Sequence, residues 1–315
     1  MKILTRAEAA GFLLSHDRLC ILTHRRPDGD TVGSAAALCL GLRQLGKQAW
    51  VLQNDEVSDR FSWLLEGLTK QSAEDGDTIV SVDVASPGML PKAFEQYKDR
   101  VALRIDHHAS ATSFTDEELV DGESASCAEL VCDVLTILGI QMDKAIAEAV
   151  YVGTSTDTGC FRFANTTAHS FMIAAICAQA GAEIYRLNQD LFETSTLTKL
   201  KMHSWMVDHL KLLEGGRLAI CAIPKAVEEE IGVTEDDMDN ISSFPRTIAG
   251  VAMAATLRET KDGDTKISIR AIPGYDAAAI CAGFGGGGHK GAAGASVHMT
   301  LEEAAKAVEK AMLEM

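Results

Sequence analysis

One short loop, His24-Arg-Arg-Pro-Asp28-Gly-Asp30, carries an imidazole and two carboxylates. Three further stretches add donors of the same kind: Asp83, Asp106-His107-His108, and Asp157 within Gly153-Thr-Ser-Thr-Asp157-Thr-Gly159. Imidazole and carboxylate without thiolate suit Mn²⁺, Mg²⁺ or Fe²⁺ better than structural zinc. One carboxylate can bridge two ions about 3.5–4 Å apart, the arrangement used for phosphoryl transfer. Each feature alone has an ordinary use: an aspartate such as Asp30 ahead of a helix can simply cap it. Adjacent histidines at a strand end are less ordinary, and the four stretches together read as one metal site.

Positioning such a site falls to the elements between the stretches. Leu19–Thr23, Ala49–Gln53, Thr78–Val82 and Val101–Ile105 are short apolar runs that read as strands. Helices are expected over residues 6–15, opened by the capping box Thr5-x-x-Glu8, and over Gly33–Leu45 and Asp59–Glu66. Ser126-x-x-Glu129 opens another that Gly139 ends, and Asp143 caps one running to about Val152. Strands separated by helices argue an α/β fold with a parallel sheet. Three of the four donor stretches then lie at carboxyl ends of strands, the edge where open α/β sheets bind ligands. Asp157 is expected in a loop after a helix.

Residues 166–180 and 184–212 read as helical, the second as a connector. The texture changes after Gly215-Gly216: Arg217–Ile223, Gly250–Arg258 and Lys266–Ala271 read as strands, with a turn at Lys261-Asp-Gly-Asp264 and a final helix capped by Thr300-x-x-Glu303. The expected organisation is a parallel-sheet metal-binding domain over 1–187, a helical linker over 188–213, and a smaller α+β substrate-binding domain over 214–315. In the last of these, Gly285–Gly288 precedes His289; consecutive glycines let a backbone approach a ligand and turn its N–H groups toward an anion. Arg258, at a strand end, suits either a substrate contact or an ion pair. Trp50 and Trp63 read as core residues.

Composition limits the partners. The chain has 315 residues, 47% hydrophobic and 23% charged, which suits a packed fold of about two domains. Lys plus Arg number 29 against 45 Asp plus Glu, a formal charge of −16. Bulk affinity for long nucleic acid comes from cationic groups that neutralise phosphates, so long duplexes and anionic membranes are poor partners. Eight cysteines form no C-x-x-C pair and read as buried, reduced thiols. No apolar run nears the ~18 residues of a membrane span, and the N-terminus lacks a secretory core, so a cytoplasmic protein is expected.

The pattern His-x-x-x-Pro-Asp-x-Asp, a lone strand-end aspartate, Asp-His-His and a later Asp-Thr-Gly resembles the four motifs of the DHH phosphoesterase superfamily. Phe284-Gly-Gly-Gly-Gly-His289-Lys-Gly-Ala-Ala-Gly294 resembles the signature of the DHH-associated C-terminal domain. Size and spacing are similar to the compact bacterial members, the nanoRNases, which are bifunctional oligoribonucleases and 3′-phosphoadenosine 5′-phosphate (pAp) phosphatases. The resemblance covers nearly the whole chain. It implies that His24, Asp28 and Asp83 hold one Mn²⁺ and that Asp30, Asp83, His107 and Asp157 hold a second, with Asp83 bridging. Mg²⁺, Co²⁺ and Fe²⁺ are the alternative ions. By the same resemblance His108 faces the substrate phosphate, and Asp106 orients the histidines. Arg270 grips a terminal phosphate, and Gly286, Gly287, Gly288 and His289 contact phosphate or sugar. Gly291 stands where many relatives carry arginine, which bears on preference among substrates.

The implied activity is hydrolysis of short oligoribonucleotides to mononucleotides and of pAp to AMP, through two-metal activation of a bridging hydroxide. An enzymatic alternative is a phosphodiesterase of cyclic or linear dinucleotide messengers such as cyclic di-AMP or pApA. A non-enzymatic one is a nucleotide sensor with a decayed site. Expected partners are these small substrates, with a homodimer left open as the assembly. Two divalent cations would offset Asp28, Asp30, Asp83 and Asp157, taking the formal charge from −16 to −12. A surface still that acidic favours small, end-gripped substrates.

Overall fold

A computed structural model describes residues 2–108, 112–238, 240–260 and 263–315. Lys261 and Asp262 of the expected turn lie outside the described residues. The chain divides into two compact units, Met1–Thr194 and Ser195–Met315.

The first unit contains strands β1 (Lys2–Ile3), β2 (Arg18–Leu22), β3 (Gln48–Leu52), β4 (Thr69–Lys70), β5 (Thr78–Val82), β6 (Val101–Asp106) and β7 (Glu117–Val120). Its helices are α1 (Arg6–Leu14), α2 (Gly29–Gln44), α3 (Asp59–Ser62), α4 (Cys127–Ile137), α5 (Lys144–Asp157), α6 (Ala168–Gln179) and α7 (Ile184–Asn188). The seven strands form one sheet in the order β1-β7-β6-β5-β2-β3-β4, and every pair is parallel. The α/β fold with a parallel sheet expected from the alternation is therefore present. Alternate residues of β2 serve opposite faces: Leu19 and Ile21 join a core with α1, α2, α4 and α5, while Cys20 and Leu22 pack with Phe94 and Tyr97. Burial on both faces is why these strands read as continuous apolar runs. The strand order reverses between β2 and β5, and a crevice opens at such a switch point.

Two boundaries and one unanticipated strand differ from expectation, and each bears on the site. Helix α2 begins at Gly29, so Asp28 is its N-cap and Asp30 lies in its first turn. Helix α5 runs on to Asp157, which is its last residue and not part of a following loop. Strand β7 has no simple apolar signature, because its buried Glu118 is paired with Arg104. The segment 184–212 is also not one helix. It comprises α7, a π-helical turn at Gln189–Glu193, a break, helix α8 (Leu197–His209) capped by the Thr196 side chain, and part of a strand.

The second unit adds β8 (Lys211–Leu213), β9 (Leu218–Ile223), α9 (Lys225–Ile231), β10 (Met253–Glu259), β11 (Thr265–Ala271), α10 (Ala277–Ala282), β12 (Gly287–His289), β13 (Ala292–Val297) and α11 (Leu301–Leu313). Its sheet order is β12-β13-β11-β10-β9-β8, antiparallel except for β9 with β10. Leu218 and Ile220 of β9 pack with α10 and α11, whereas Cys221 and Ile223 pack with Met202 and Met206 of α8. All eight cysteines are free thiols. Trp50 and Trp63, expected in the core, are 36% and 38% exposed, with Arg43 and Arg186 over their rings. Among the described residues, no helix is long and apolar enough to cross a membrane.

Candidate metal centre

The loop after β2 supplies His24 and Asp28, and the turn after β5 supplies Asp83, on either side of the switch point. Asn54 Nδ2 donates to the His24 carbonyl at 3.0 Å, and Thr31 Oγ1 donates to the Val82 carbonyl at 3.0 Å. The two ligand loops are thus tied to neighbouring strands. Asp83 itself has φ +60, a left-handed conformation that aspartate tolerates but rarely adopts. Its N–H is held by the Ile105 carbonyl at 2.9 Å, so the sheet edge fixes the turn.

Two glycines bring the helices close enough to complete the cluster. A Cβ on Gly33 would lie 2.3 Å from the Ala149 carbonyl oxygen, and one on Gly153 would lie 2.5 Å from the Ala128 Cβ. Only without side chains there can α2, α4 and α5 meet. That meeting places Asp30 and Asp157 against His107.

His24 Nε2 lies 3.4 Å from Asp83 Oδ2 and 3.6 Å from Asp28 Oδ1. His107 Nε2 lies 3.3 Å from Asp157 Oδ2, 3.5 Å from Asp83 Oδ1 and 3.7 Å from Asp30 Oδ2. Donors that bind one ion at about 2.0–2.2 Å must lie within about 4.4 Å of each other, and these do. His24-Asp28-Asp83 and Asp30-His107-Asp157 thus form two groups that could each hold a metal ion, and Asp83 directs one oxygen toward each. Asp83 is 2% exposed, and its Oδ1 is buried without a hydrogen-bond partner. A buried, unpaired carboxylate oxygen is costly, and a bound cation would satisfy it.

The supporting contacts fix the imidazoles. His24 Nδ1 pairs with the Arg25 carbonyl at 2.9 Å and His107 Nδ1 with the Ser124 carbonyl at 3.2 Å, which leaves each Nε2 lone pair toward the carboxylates. Asp106 is fully buried and orients His108 alone, through His108 Nδ1 at 2.8 Å. The expectation that Asp106 serves both histidines is thus corrected: the Ser124 carbonyl takes that role for His107. Asp30 is anchored by the start of α4, accepting from the N–H groups of Cys127 and Ala128 at 2.7 and 2.9 Å.

Packing these carboxylates together has an electrostatic cost. Burial, then the charges of Asp83, Asp157 and Asp28, push the Asp30 carboxyl well above its usual range. Burial, then Asp28 and Asp83, does the same to Asp157. Burial disfavours charge on His24, but Asp28 and Asp83 outweigh it and lift its pKa well above the usual value. Likewise the hydrogen bond to Asp106 leads the contacts that outweigh burial and raise His108 to about 9. The cluster without cations holds protons that divalent ions would displace.

Sequence reasoning missed Arg104, although a lone arginine inside the apolar run Val101–Ile105 was a visible signal. It is 2% exposed and bonds Glu118 at 2.7 Å, the Ala85 carbonyl at 3.2 Å and the Thr112 carbonyl at 3.1 Å. It therefore ties the segment beyond Asp83 to the segment beyond His108. Asn165 was also missed; its Nδ2 donates to the Asp157 carbonyl at 3.1 Å.

The second unit holds the remaining expected residues. The second half of the glycine run, Gly287 and Gly288, lies with His289 in strand β12, and Gly285 sits in the turn before it. A Cβ on Gly286 would lie 2.1 Å from the Gly294 carbonyl oxygen, and one on Gly288 would lie 2.6 Å from that of Ala292; Gly287 is exposed with open space around it. Arg270 of β11 and His289 of β12 both pair in register with Ala292 of β13. Register partners share a sheet face, so these two cationic or polar side chains lie two strands, about 10 Å, apart on one face. Arg258 instead forms a two-point ion pair with buried Glu228, at 2.7 and 3.2 Å, so its guanidinium has a structural partner.

The family model described as DHH family, N-terminal domain, matches residues 18–154, and that of the DHHA1 domain matches residues 215–314. A bifunctional oligoribonuclease and PAP phosphatase NrnA from Thermus thermophilus is 31% identical over 301 residues, covering 93% of this chain and 89% of its own length. A cyclic-di-AMP phosphodiesterase GdpP from Geobacillus thermodenitrificans is 23% identical over 324 residues, spanning 94% of this chain but 47% of that protein. The crystal structure of an exopolyphosphatase-related protein from Bacteroides fragilis shares the fold, with a TM-score of 0.89 at 22% identity over 100% of this chain and 98% of that one.

Proposed function

The chain belongs to the DHH family and carries a DHHA1 domain, and from that premise we propose that it is a metal-dependent phosphoesterase that cleaves short oligoribonucleotides to mononucleotides and converts pAp to AMP. The observation that carries the reading is the shared carboxylate: Asp83 reaches toward His24 with one oxygen and toward His107 with the other. That is the donor arrangement a pair of ions needs around one phosphate. The name of the Thermus relative supplies the substrate class.

His24, Asp28 and Asp83 would hold one divalent cation; Asp30, Asp83, His107 and Asp157 would hold the other, with Mn²⁺ as the preferred ion. When bound, the two cations supply hydroxide near neutral pH and offset charge on the phosphoryl oxygens. The chain's own residues do the rest. Ser124 and Arg25 carbonyls hold the histidine rings in their ligating tautomers. His108, held at Nδ1 by Asp106, is left with Nε2 to donate to a phosphoryl oxygen. In the second unit Arg270 offers a planar fork for a terminal phosphate, with His289 and Gly287 on or beside the same face. Arg258 has no part in this reading, because Glu228 occupies it.

The test is a kinetic panel with Mn²⁺ on two- to five-nucleotide RNAs, pAp, pApA and cyclic di-AMP. Turnover of pAp and short RNA is the expected result. Turnover confined to cyclic di-AMP and pApA would transfer the assignment to the messenger phosphodiesterases, a reading that the Geobacillus relative favours. No turnover on any of them would sink the hydrolase.

A further inference from the structure

The chain leaves Asp157 through an unusual turn. Gly159, Cys160 and Phe161 have φ of +56, +59 and +60, three successive residues in the left-handed region, two of them not glycine. L-residues visit this region singly at most, so a run of three persists only where surrounding contacts impose it. Those contacts are present. Cys160 N–H donates to the Ser155 carbonyl at 2.6 Å, Phe161 N–H donates to Thr158 Oγ1 at 3.1 Å, and the N–H groups of Arg162 and Phe163 donate to the Thr158 carbonyl at 3.0 Å.

The turn sorts two phenylalanines. Phe161 goes inward, with its ring centroid 5.9 Å from Tyr151 and 5.4 Å from Phe171. Phe163 goes outward and is 52% exposed. Its ring lies over Gly159, where a Cβ would come within 2.3 Å of it. Gly159 suits its positive φ, and a side chain there would have to displace the Phe163 ring. Asn165 then bonds back to the Asp157 carbonyl at 3.1 Å and the Ala125 carbonyl at 3.0 Å. The ring is thus mounted on a segment pinned at both ends beside a candidate metal ligand, and it is 52% exposed.

Phe161 packs against the core, whereas Phe163 is held beside the donor cluster with about half of its surface open. An exposed aromatic ring on a pinned segment next to a candidate metal ligand offers a surface on which the flat face of a nucleobase can stack. We propose that Phe163 is a stacking platform for a nucleobase of the substrate. This rests on the reading of the site as a nucleotide phosphoesterase. Every base has a π-face, so the platform discriminates nucleotides from sugar phosphates without discriminating among bases.

The experiment titrates AMP and ribose 5-phosphate calorimetrically into the Mn²⁺-supplemented full chain, as wild type and as Phe163→Ala, Phe163→Leu and Phe163→Tyr. The wild type is expected to bind AMP about tenfold more tightly than ribose 5-phosphate, the low end of what one stacked base contributes. Alanine and leucine should remove that preference, and tyrosine should keep it. Leucine retains an apolar cover over Gly159, so a loss shared by both variants reports on the π-face and not on folding. In parallel, the kcat/KM ratio of pAp over its base-free analogue ribose 3,5-bisphosphate should fall about tenfold in both. Equal wild-type affinities, or variants that weaken both ligands alike, would overturn the platform. If AMP preference is lost as expected but the wild type hydrolyses nothing, the platform stands and the hydrolase reading falls. Normal hydrolysis with an unchanged ratio removes the platform alone.

Discussion

Asp30 Oδ2 accepts the backbone N–H of Cys127 at 2.7 Å, so a carboxylate of α2 closes the first turn of α4. Its other oxygen accepts from Ala128, and Ser34 Oγ adds a third donor at 3.2 Å. Asp30 is therefore part of the framework as well as part of the donor cluster.

This dual role separates two variants that would otherwise look alike. Asp30→Ala should weaken metal binding and also destabilise the metal-free protein, by about 1–3 kcal/mol for the buried N–H groups left unpaired. Asp157→Ala should weaken metal binding yet leave metal-free stability unchanged or higher, because burial and the neighbouring carboxylates already disfavour its ionised form. Urea unfolding in chelator, alongside metal content, checks both. Equal stability losses would contradict the anchoring role.

Asp83→Ala removes a donor from both groups at once. Its kcat/KM should fall by more than about a hundredfold on every substrate, beyond what loss of a supporting contact costs. Metal analysis of the purified variant should show both ions depleted. Activity within tenfold of wild type would mean that Asp83 does not bridge.

Gly33→Ala tests the helix approach. The added methyl meets backbone, not a movable side chain, so α2 and α5 must separate. A stability loss of about 1–3 kcal/mol is expected, with reduced metal affinity as Asp30 moves away from His107. Retention of both would show that the crossing can relax without disturbing the cluster.

Glu228 gives the second unit a pH signature. Burial raises its pKa, but Arg258 and then Lys225 outweigh it and hold the carboxyl below its ordinary value of 4.5. A depressed folded-state pKa contributes stability that is present above the unfolded value and lost as pH falls through the folded one. The unit should therefore weaken as pH drops below about 4.5. Arg258→Ala should destabilise it at neutral pH by about 3 kcal/mol, since a buried carboxylate loses its main partner. KM for pAp should stay near wild type. A large KM increase without loss of stability would restore Arg258 as a substrate contact.

Arg270→Ala should do the reverse. Metal content and thermal midpoint should hold while KM for pAp rises about tenfold or more, as expected for loss of a charge-assisted phosphate contact. An unchanged KM would reject its role in gripping phosphate.

The central strands were legible because burial on two faces leaves an unbroken apolar run, and the donor residues were legible because they follow those runs directly. The sequence order Asp28-Gly-Asp30 did not reveal which aspartate caps the helix; Asp28 does, because Gly29 is free to enter the first turn. Asp157 looked like a loop residue because Gly153-Thr-Ser-Thr favours helix only weakly. Tertiary packing of Gly153 against Ala128 overrides that weakness. Strand β7 and the anchoring of Asp30 by Cys127 were hidden for a common reason: each depends on a partner distant in sequence, Arg104 in one case and α4 in the other. The glycine run was read as a place where backbone approaches a ligand, yet two of its members are glycine because neighbouring carbonyls leave no room for a side chain.

Asp28 is at once the N-cap of α2, accepting from the N–H groups of Asp30 and Thr31, and a donor beside His24. Asparagine caps a helix as well as aspartate does but brings no charge to a cation. A single-nucleotide change in the codon could therefore silence the chemistry while the architecture survives intact. Lineages descended from such a chain have a short route to a folded, ligand-binding remnant, and drift at this one position would signal the passage from catalyst to receptor.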